Sequence, residues 1–250
     1  MNNKKKITII TATNNSEKFI RNNLQSVSNQ KFENYEQIIV DNCSTDKTIK
    51  IINDFKSPKV RIICEPDKGI YDAINKGIKV AEGSIISILH SDDEYYDSNV
   101  LFSINKNFEK YQTDIIYGNL IYTAKNNNKK IVRVWQSKSF VKRSFNIGWS
   151  PPHPSFFVKK ILHDKYGYYI NELGNPADLE LMHRFLEVHQ LRNVFVDSFY
   201  VKMRLGGKSN KSIINIIKQN LKIISILKLD ILQSIKFILY KFLNRLKQFL

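Results

Sequence analysis

The chain has 250 residues, a formal net charge of +16 and a pI near 9.7. That length suits one α/β domain with an appendage. Cys43 and Cys64 show no CxxC spacing and no signal peptide is expected ahead of them, so reduced thiols are expected, and no uncharged run approaches the ~18 residues that a membrane span needs.

The opening KKITIITATNNSEKFI is a β-branched run that ends in small polar residues and passes into a helix start near Ser16. A second strand, EQIIVDNCSTDKT, ends on Asp41. A third, VRIICEPDKG, leads into GIYDAINKGIKVAEG, where Ile70, Ala73, Ile74, Ile78 and Ala81 recur at helical spacing. The apolar run from Ser84 to Leu89 then gives way to SDDEYYD, with Asp92 and Asp93 side by side. Strand alternating with helix predicts βαβ units and a mostly parallel sheet covered by helices. Ligands of such sheets bind beyond the carboxyl ends of the strands, so Thr11, Asp41, Glu65 to Lys68 and Asp92-Asp93 are expected to converge on one edge.

No glycine follows the first strand to let backbone amides approach a pyrophosphate, and no G-x-x-x-x-G-K-[ST] occurs anywhere. A nucleotide diphosphate bound at this edge would therefore need a cation on Asp92-Asp93 and basic side chains such as Lys68. A solvated acidic loop would look the same as a lone Asp-Asp pair. The other strand-end residues are what favour a site.

In the second half, TAKNNNKKIV reads as a hairpin turn, and IGWSPPHPSFFVKK sets His153 in a Pro-rich loop before an apolar strand. NPADLELMHRFLEV enters a helix with Pro176 among its first positions and Asp178 and Glu180 in its first turn. MRLGGKSN offers the cations Arg204 and Lys208 around the hinge-like pair Gly206-Gly207. From Lys211 to Leu250, eight Lys or Arg stand against one Asp. There Ile224, Leu227, Ile231, Ile235, Ile238, Phe242 and Leu246 step by three or four with basic residues between them. This pattern fits an amphipathic helix lying on an anionic membrane surface; a helical pair packed on the preceding domain, or serving oligomerisation, is the structural alternative.

Taken in order, ITIITATNNSEKFIRNNLQSV, IIVDNCSTDKT, EPDKGIYDAINKGIKVAEG, ILHSDD and NPADLELMHRFL resemble the motifs of family 2 glycosyltransferases with the GT-A fold. The likeness covers residues 5–210 and is nearest to small bacterial enzymes that build O-antigen, capsule and colanic-acid-type polysaccharides. It implies a Rossmann-like GT-A domain over residues 1–210, with 211–250 as a basic, amphipathic, membrane-associating tail. It also implies inverting transfer of a hexosyl or N-acetylhexosaminyl group from a nucleotide-diphosphate sugar, with uridine the commonest nucleotide. The implied acceptor is an undecaprenyl-diphosphate-linked saccharide, met by a cytoplasmic protein peripheral to the inner face of the plasma membrane.

By this resemblance Asp41 matches the residue that reads the base, since a carboxylate can accept the imide N–H of uracil or the N1–H and amino group of guanine. As a helix N-terminal cap Asp41 would be replaceable by Ser44 or Thr45. Asp92 matches the ribose or donor-sugar contact, and Asp93 the ligand of Mn2+ or Mg2+. Ser91 departs from the outer acid of a D-x-D spacing, which leaves the metal either one or two protein carboxylates. Lys68 matches a phosphate contact and Gly69 a helix-entry turn, while Asp72 and Asn75 share one helix face, Asp72 serving either the donor or the helix start. Asp178 matches the general base, with Glu180 as the alternative; His153 matches a polar residue near the acceptor, and Arg204 or Lys208 the loop that closes over donor phosphates. A nucleic-acid-binding protein is suggested by pI alone, but the positive excess concentrates in the apolar tail. A non-catalytic nucleotide-sugar-binding protein is the other rival, against which Asp41, Asp92, Asp93 and Asp178 are all retained.

Overall fold

Four strands, β1 (Ile7–Thr13), β2 (Tyr35–Asp41), β3 (Val60–Cys64) and β4 (Ile85–Ile88), make the parallel half of the sheet in the computed structural model, which describes residues 7–206, 213–246 and 248. β1 lies between β2 and β4, and β3 pairs with β2, so each connection is a crossover of the kind the alternating pattern predicts. Helices α1 (Ile20–Ser28), α2 (Thr48–Asp54) and α3 (Ile70–Val80) supply those crossovers. Every residue of β1 is buried, because successive side chains alternate between two helical covers. Ile7 and Ile9 pack with Val27 of α1, whereas Ile10 and Ala12 pack with Tyr71, Ala73 and Ile74 of α3. Each buried Ile or Val side chain among them contributes about 1.5–3 kcal/mol.

The second half is mixed. Its strands are β5 (Glu94–Tyr95), β6 (Ile115–Ala124), β7 (Asn127–Trp135), β8 (Phe156–Lys159) and β9 (Asn193–Arg204), with α4 (Val100–Tyr111) between β5 and β6. β8 is antiparallel to both β4 and β6 and so welds the halves into one sheet, ordered β3-β2-β1-β4-β8-β6-β9-β5, with β7 on β6. The β6–β7 hairpin turns at the Asn-rich segment, as its sequence predicts. β8 runs directly into α5 (Lys160–Tyr166), and α6 (Ala177–His183) continues into a π-helical turn, Arg184–Val188.

The C-terminal segment folds as α7 (Ile213–Leu227) and α8 (Ile231–Leu246). Both dock on the second half: Ile223, Leu227 and Phe237 are buried in one cluster with Tyr117, Phe145, Leu181 and Phe185. Gly148, at φ +70°, lets α8 approach so closely that a Cβ there would lie 2.8 Å from Lys241 Cβ. The described residues leave the opposite face of α8 uncovered, with Ile231, Ile235, Ile238, Phe242 and Leu246 between 47% and 83% exposed. No described helix is long and apolar enough to cross a membrane. Lys208, Gly207 and the 210/211 boundary lie outside the described residues.

Candidate active site

The parallel strands end level: Thr13 pairs with Asp41, and Asp41 with Cys64. Asp41 is fully buried there, with Oδ1 accepting the Ser44 N–H at 2.7 Å and Oδ2 the Ser44 hydroxyl at 2.6 Å. The Cys64 thiol also donates to Oδ1, at 3.7 Å, so of the roughly four acceptor positions of a carboxylate the one still open is on Oδ2. The start of α2 is served instead by Asp46, whose carboxylate accepts the Thr48 N–H at 2.9 Å.

Thr11 does not reach this edge. Its hydroxyl is buried two residues short of the strand end and accepts Gln37 Nε2–H at 3.0 Å. The alternation of β1 turns Thr11 towards α1, where Gln37 also donates to Asn23 Oδ1 at 2.8 Å. Asn23 in turn donates to the carbonyls of His90 and Asp93 at 2.8 and 3.0 Å. The residue expected to touch a donor thus heads a buried chain that fixes the loop carrying Asp92 and Asp93.

Asp93 is fully buried; its Oδ1 accepts the Arg204 N–H at 3.1 Å, and its Oδ2 has no hydrogen-bond partner among the described residues. Burial, and then the neighbouring Asp92, push its carboxyl well above the usual carboxylate range. Among the described residues no cluster of three or more His, Cys, Asp or Glu is arranged to hold a metal. A bare buried oxygen beside the partly exposed Asp92 nevertheless fits a hard divalent cation that takes its remaining oxygens from phosphates and water.

Three expected donor contacts are occupied within the fold or face solvent. The Arg204 guanidinium, only 8% exposed, bonds to the carbonyls of Asp92 and Lys125 and to Glu94, so it locks the acidic loop instead of presenting free charge. Asp72 Oδ2 accepts the Lys68 N–H at 2.9 Å, which makes it a helix-start side chain. Gly69 provides the turn into α3 at φ +126°, and the Lys68 side chain projects from it into solvent. Asn75 brackets the backbone of Tyr169, donating to its carbonyl at 2.8 Å and accepting its N–H at 3.0 Å.

That bracket brings the second half against the first. Tyr71 stacks on Tyr169 with ring centroids 5.3 Å apart, and the Tyr71 hydroxyl donates to the Asn175 carbonyl at 3.2 Å, just before α6. Asp178 follows in the first turn of α6, with Oδ1 accepting the Leu179 N–H at 2.7 Å and Oδ2 lying 3.2 Å from His153 Nδ1. His153 Nε2 lies 2.9 Å from His90 Nε2, so the acidic loop and the start of α6 are joined through two imidazoles. Burial pushes the Asp178 carboxyl up to about 6, against the Leu179 N–H and the Lys241 cation, which favour its charged form. Burial takes His153 down to about 4, and burial with His153 beside it takes His90 down to about 4.

Glu180, the alternative base, is committed elsewhere. Both of its oxygens bond Arg184 at 2.8 Å, and Arg184 also holds the carbonyls of Gly167 and Tyr168. Sequence reasoning missed His90, although it stands inside the ILHSDD motif, and missed Lys241, which no motif marks.

A parallel sheet whose strand ends gather carboxylates, extended by a mixed half that carries a further acid at a helix start, is the GT-A glycosyltransferase architecture. The fold superposes on the crystal structure of S. aureus TarS 1-349 in complex with UDP-GlcNAc with a TM-score of 0.69, covering 95% of this chain and 72% of that one at 19% identity. It superposes on the mannosyltransferase PcManGT from Pyrobaculum calidifontis in complex with GDP-Man and Mn2+ with a TM-score of 0.63, covering 90% and 64% at 17% identity. The profile of glycosyl transferase family 2 matches residues 8–165, and the chain belongs to that family. A PGL/p-HBAD biosynthesis glycosyltransferase of Mycobacterium bovis is 31% identical over 107 residues, 41% of this chain and 42% of the relative. The putative teichuronic acid biosynthesis glycosyltransferase TuaG of Bacillus subtilis is 34% identical over 92 residues, 36% of each chain. Each match thus spans less than half the length of these relatives.

Proposed function

We propose that this protein is an inverting, metal-dependent glycosyltransferase that moves a hexosyl or N-acetylhexosaminyl group from a UDP-sugar to a lipid-linked saccharide in surface polysaccharide synthesis. The observation that carries the reading is a pair of carboxylates with different surroundings: Asp93 with an oxygen unpartnered among the described residues, and Asp178 joined to the same loop through His153 and His90.

In this reading Asp41 accepts hydrogen bonds from the base, Asp92 contacts the ribose or sugar, and Asp93 with Asp92 would hold Mn2+ or Mg2+. Such a cation supplies neutralisation of the diphosphate leaving group. Asp178 takes the proton of an acceptor hydroxyl that attacks the anomeric carbon from the face opposite the nucleotide. A carboxyl pushed up to about 6 is ionised at neutral pH yet more basic than a solvated one, which suits that task. The uncovered apolar stripe of α8, with Lys236 and Arg245 exposed along it, supports a peripheral position on an anionic inner leaflet, where a diphosphate-linked lipid acceptor such as an undecaprenyl carrier would be met.

The test is calorimetry of the full chain against a panel of nucleotide sugars with Mn2+ or Mg2+ present, followed by transfer or hydrolysis assays. One nucleotide sugar should bind only with metal and turn over. A panel that binds nothing, with and without metal, rejects the reading.

A further inference from the structure

We propose that His153, itself held by His90, is the positioning residue for Asp178: it donates Nδ1–H to one carboxylate oxygen and thereby fixes the plane in which the acid meets its proton. This rests on the reading of Asp178 as the base. The chemistry of the two contacts assigns the hydrogens. A carboxylate that accepts a proton in the reaction enters it ionised and has no hydrogen to give, so at 3.2 Å from Oδ2 His153 Nδ1 must be the donor. The 2.9 Å contact between the two Nε2 atoms needs one donor and one acceptor. A neutral His153 protonated on Nδ1 offers a lone pair at Nε2, so His90 donates Nε2–H into it. His90 Nδ1 is then unprotonated, in keeping with its lacking any hydrogen-bond partner among the described residues.

Both rings are anchored through their backbones. Asn23 holds the His90 carbonyl at 2.8 Å, and His153 opens a 3-10 turn, His153–Ser155, that is wedged under the sheet with Pro154 and Ser155 buried. Ser155 Oγ donates to the Asn119 carbonyl of β6 at 3.0 Å. Asp178 Oδ1 is already tied to the Leu179 N–H, so His153 supplies the second fixed point that defines the carboxylate plane. Each oxygen retains acceptor capacity for the incoming hydroxyl.

The experiment uses the full chain and whichever nucleotide sugar the panel selects, with Asp178→Asn as the reference. His153→Leu keeps bulk but removes the donor, and the turnover number should fall on the order of 10- to 100-fold with the donor KM unchanged, as misorientation of a reacting group predicts. His153→Asn returns an N–H near the Nδ1 position and should recover most of the rate. His90→Leu should lose less than His153→Leu, and His90→Gln, which keeps a donor, less still. Long-range 15N–1H spectra of histidine-labelled wild-type protein give an independent reading: His153 should be the Nδ1–H tautomer and His90 the Nε2–H tautomer. An Nε2–H signature for His153 overturns the proposal, as does a His153→Leu enzyme that keeps wild-type turnover while Asp178→Asn is inactive. His153→Asn as slow as His153→Leu at equal Tm overturns it too. Normal turnover by Asp178→Asn removes the base reading itself and this inference with it.

Discussion

The half of the molecule that carries Asp93 and the half that carries Asp178 are built on different terms. In the first, strands follow one another through single crossover helices, and Asp41 and Asp92-Asp93 sit where strands end, so chain order and position in the site agree. In the second, β8 is antiparallel to both neighbours, β5 pairs with β9 from across the chain, and Asp178 is surrounded by groups from five separate segments. Those groups are His153, Tyr71 of α3, Tyr169, Leu179 N–H and Lys241 of α8. Burial raises both carboxyls, but Asp93 keeps a bare oxygen whereas both oxygens of Asp178 are engaged. An acid with an unmet oxygen suits an ion; an acid held at two points suits a defined proton transfer.

Five measurements test this division between the halves. Asp178→Asn should lower transfer by roughly 10²- to 10⁴-fold, the range of general-base catalysis, while calorimetry finds donor affinity unchanged. Weakened donor binding in that variant would erase the division between the halves. Phe237→Ala, which empties a fully buried site beneath α8, should cost about 3–5 kcal/mol in chemical denaturation. Ile235→Glu on the exposed face should leave Tm alone and abolish binding to phosphatidylglycerol-containing vesicles; retained binding would leave the outer stripe without a membrane role.

Asp93→Asn should weaken metal-dependent donor binding by at least ~10- to 100-fold, the loss typical of even an outer partner of a metal site. Because burial raises the Asp93 carboxyl, its ionised form opposes folding at neutral pH without a cation, so the metal-free Asn variant should melt no lower than wild type. A lower melting temperature would mean that the charge is already compensated inside the protein. The smallest effect concerns pH. Turnover should fall as pH drops through about 6, where the Asp178 carboxyl takes up its proton. Lys241→Met removes a cation that favours the carboxylate, so the acid limb should move upward, and a limb that stays put would detach α8 from the base.

The first half was legible because its signals are local. Helical spacing in GIYDAINKGIKVAEG became α3 with Ala73, Ile74 and Ile78 buried, and the strand-end acids fell where a parallel sheet sends them. Thr11 was misread because β-branched strand residues alternate faces, and only the docking of α1 decides which face meets the Gln37–Asn23 chain. Arg204 and Glu180 have the residue types of functional groups, but their partners, Glu94 and Arg184 among others, consume their hydrogen-bonding capacity in the fold.

Taken alone, the amino-acid order determined the alternation of strands and helices, the acids at the strand ends, the Pro-led entry into α6 and the amphipathic character of the last helices. All of these depend on neighbours a few positions apart: hydrophobic period, turn chemistry and capping. Tertiary structure alone decided that His90 meets His153, that His153 meets Asp178, and that α8 turns Phe237 inward and carries Lys241 towards the same carboxylate. Those contacts join residues from distant parts of the chain, and they exist only once β8 has welded the two halves and the helices have docked.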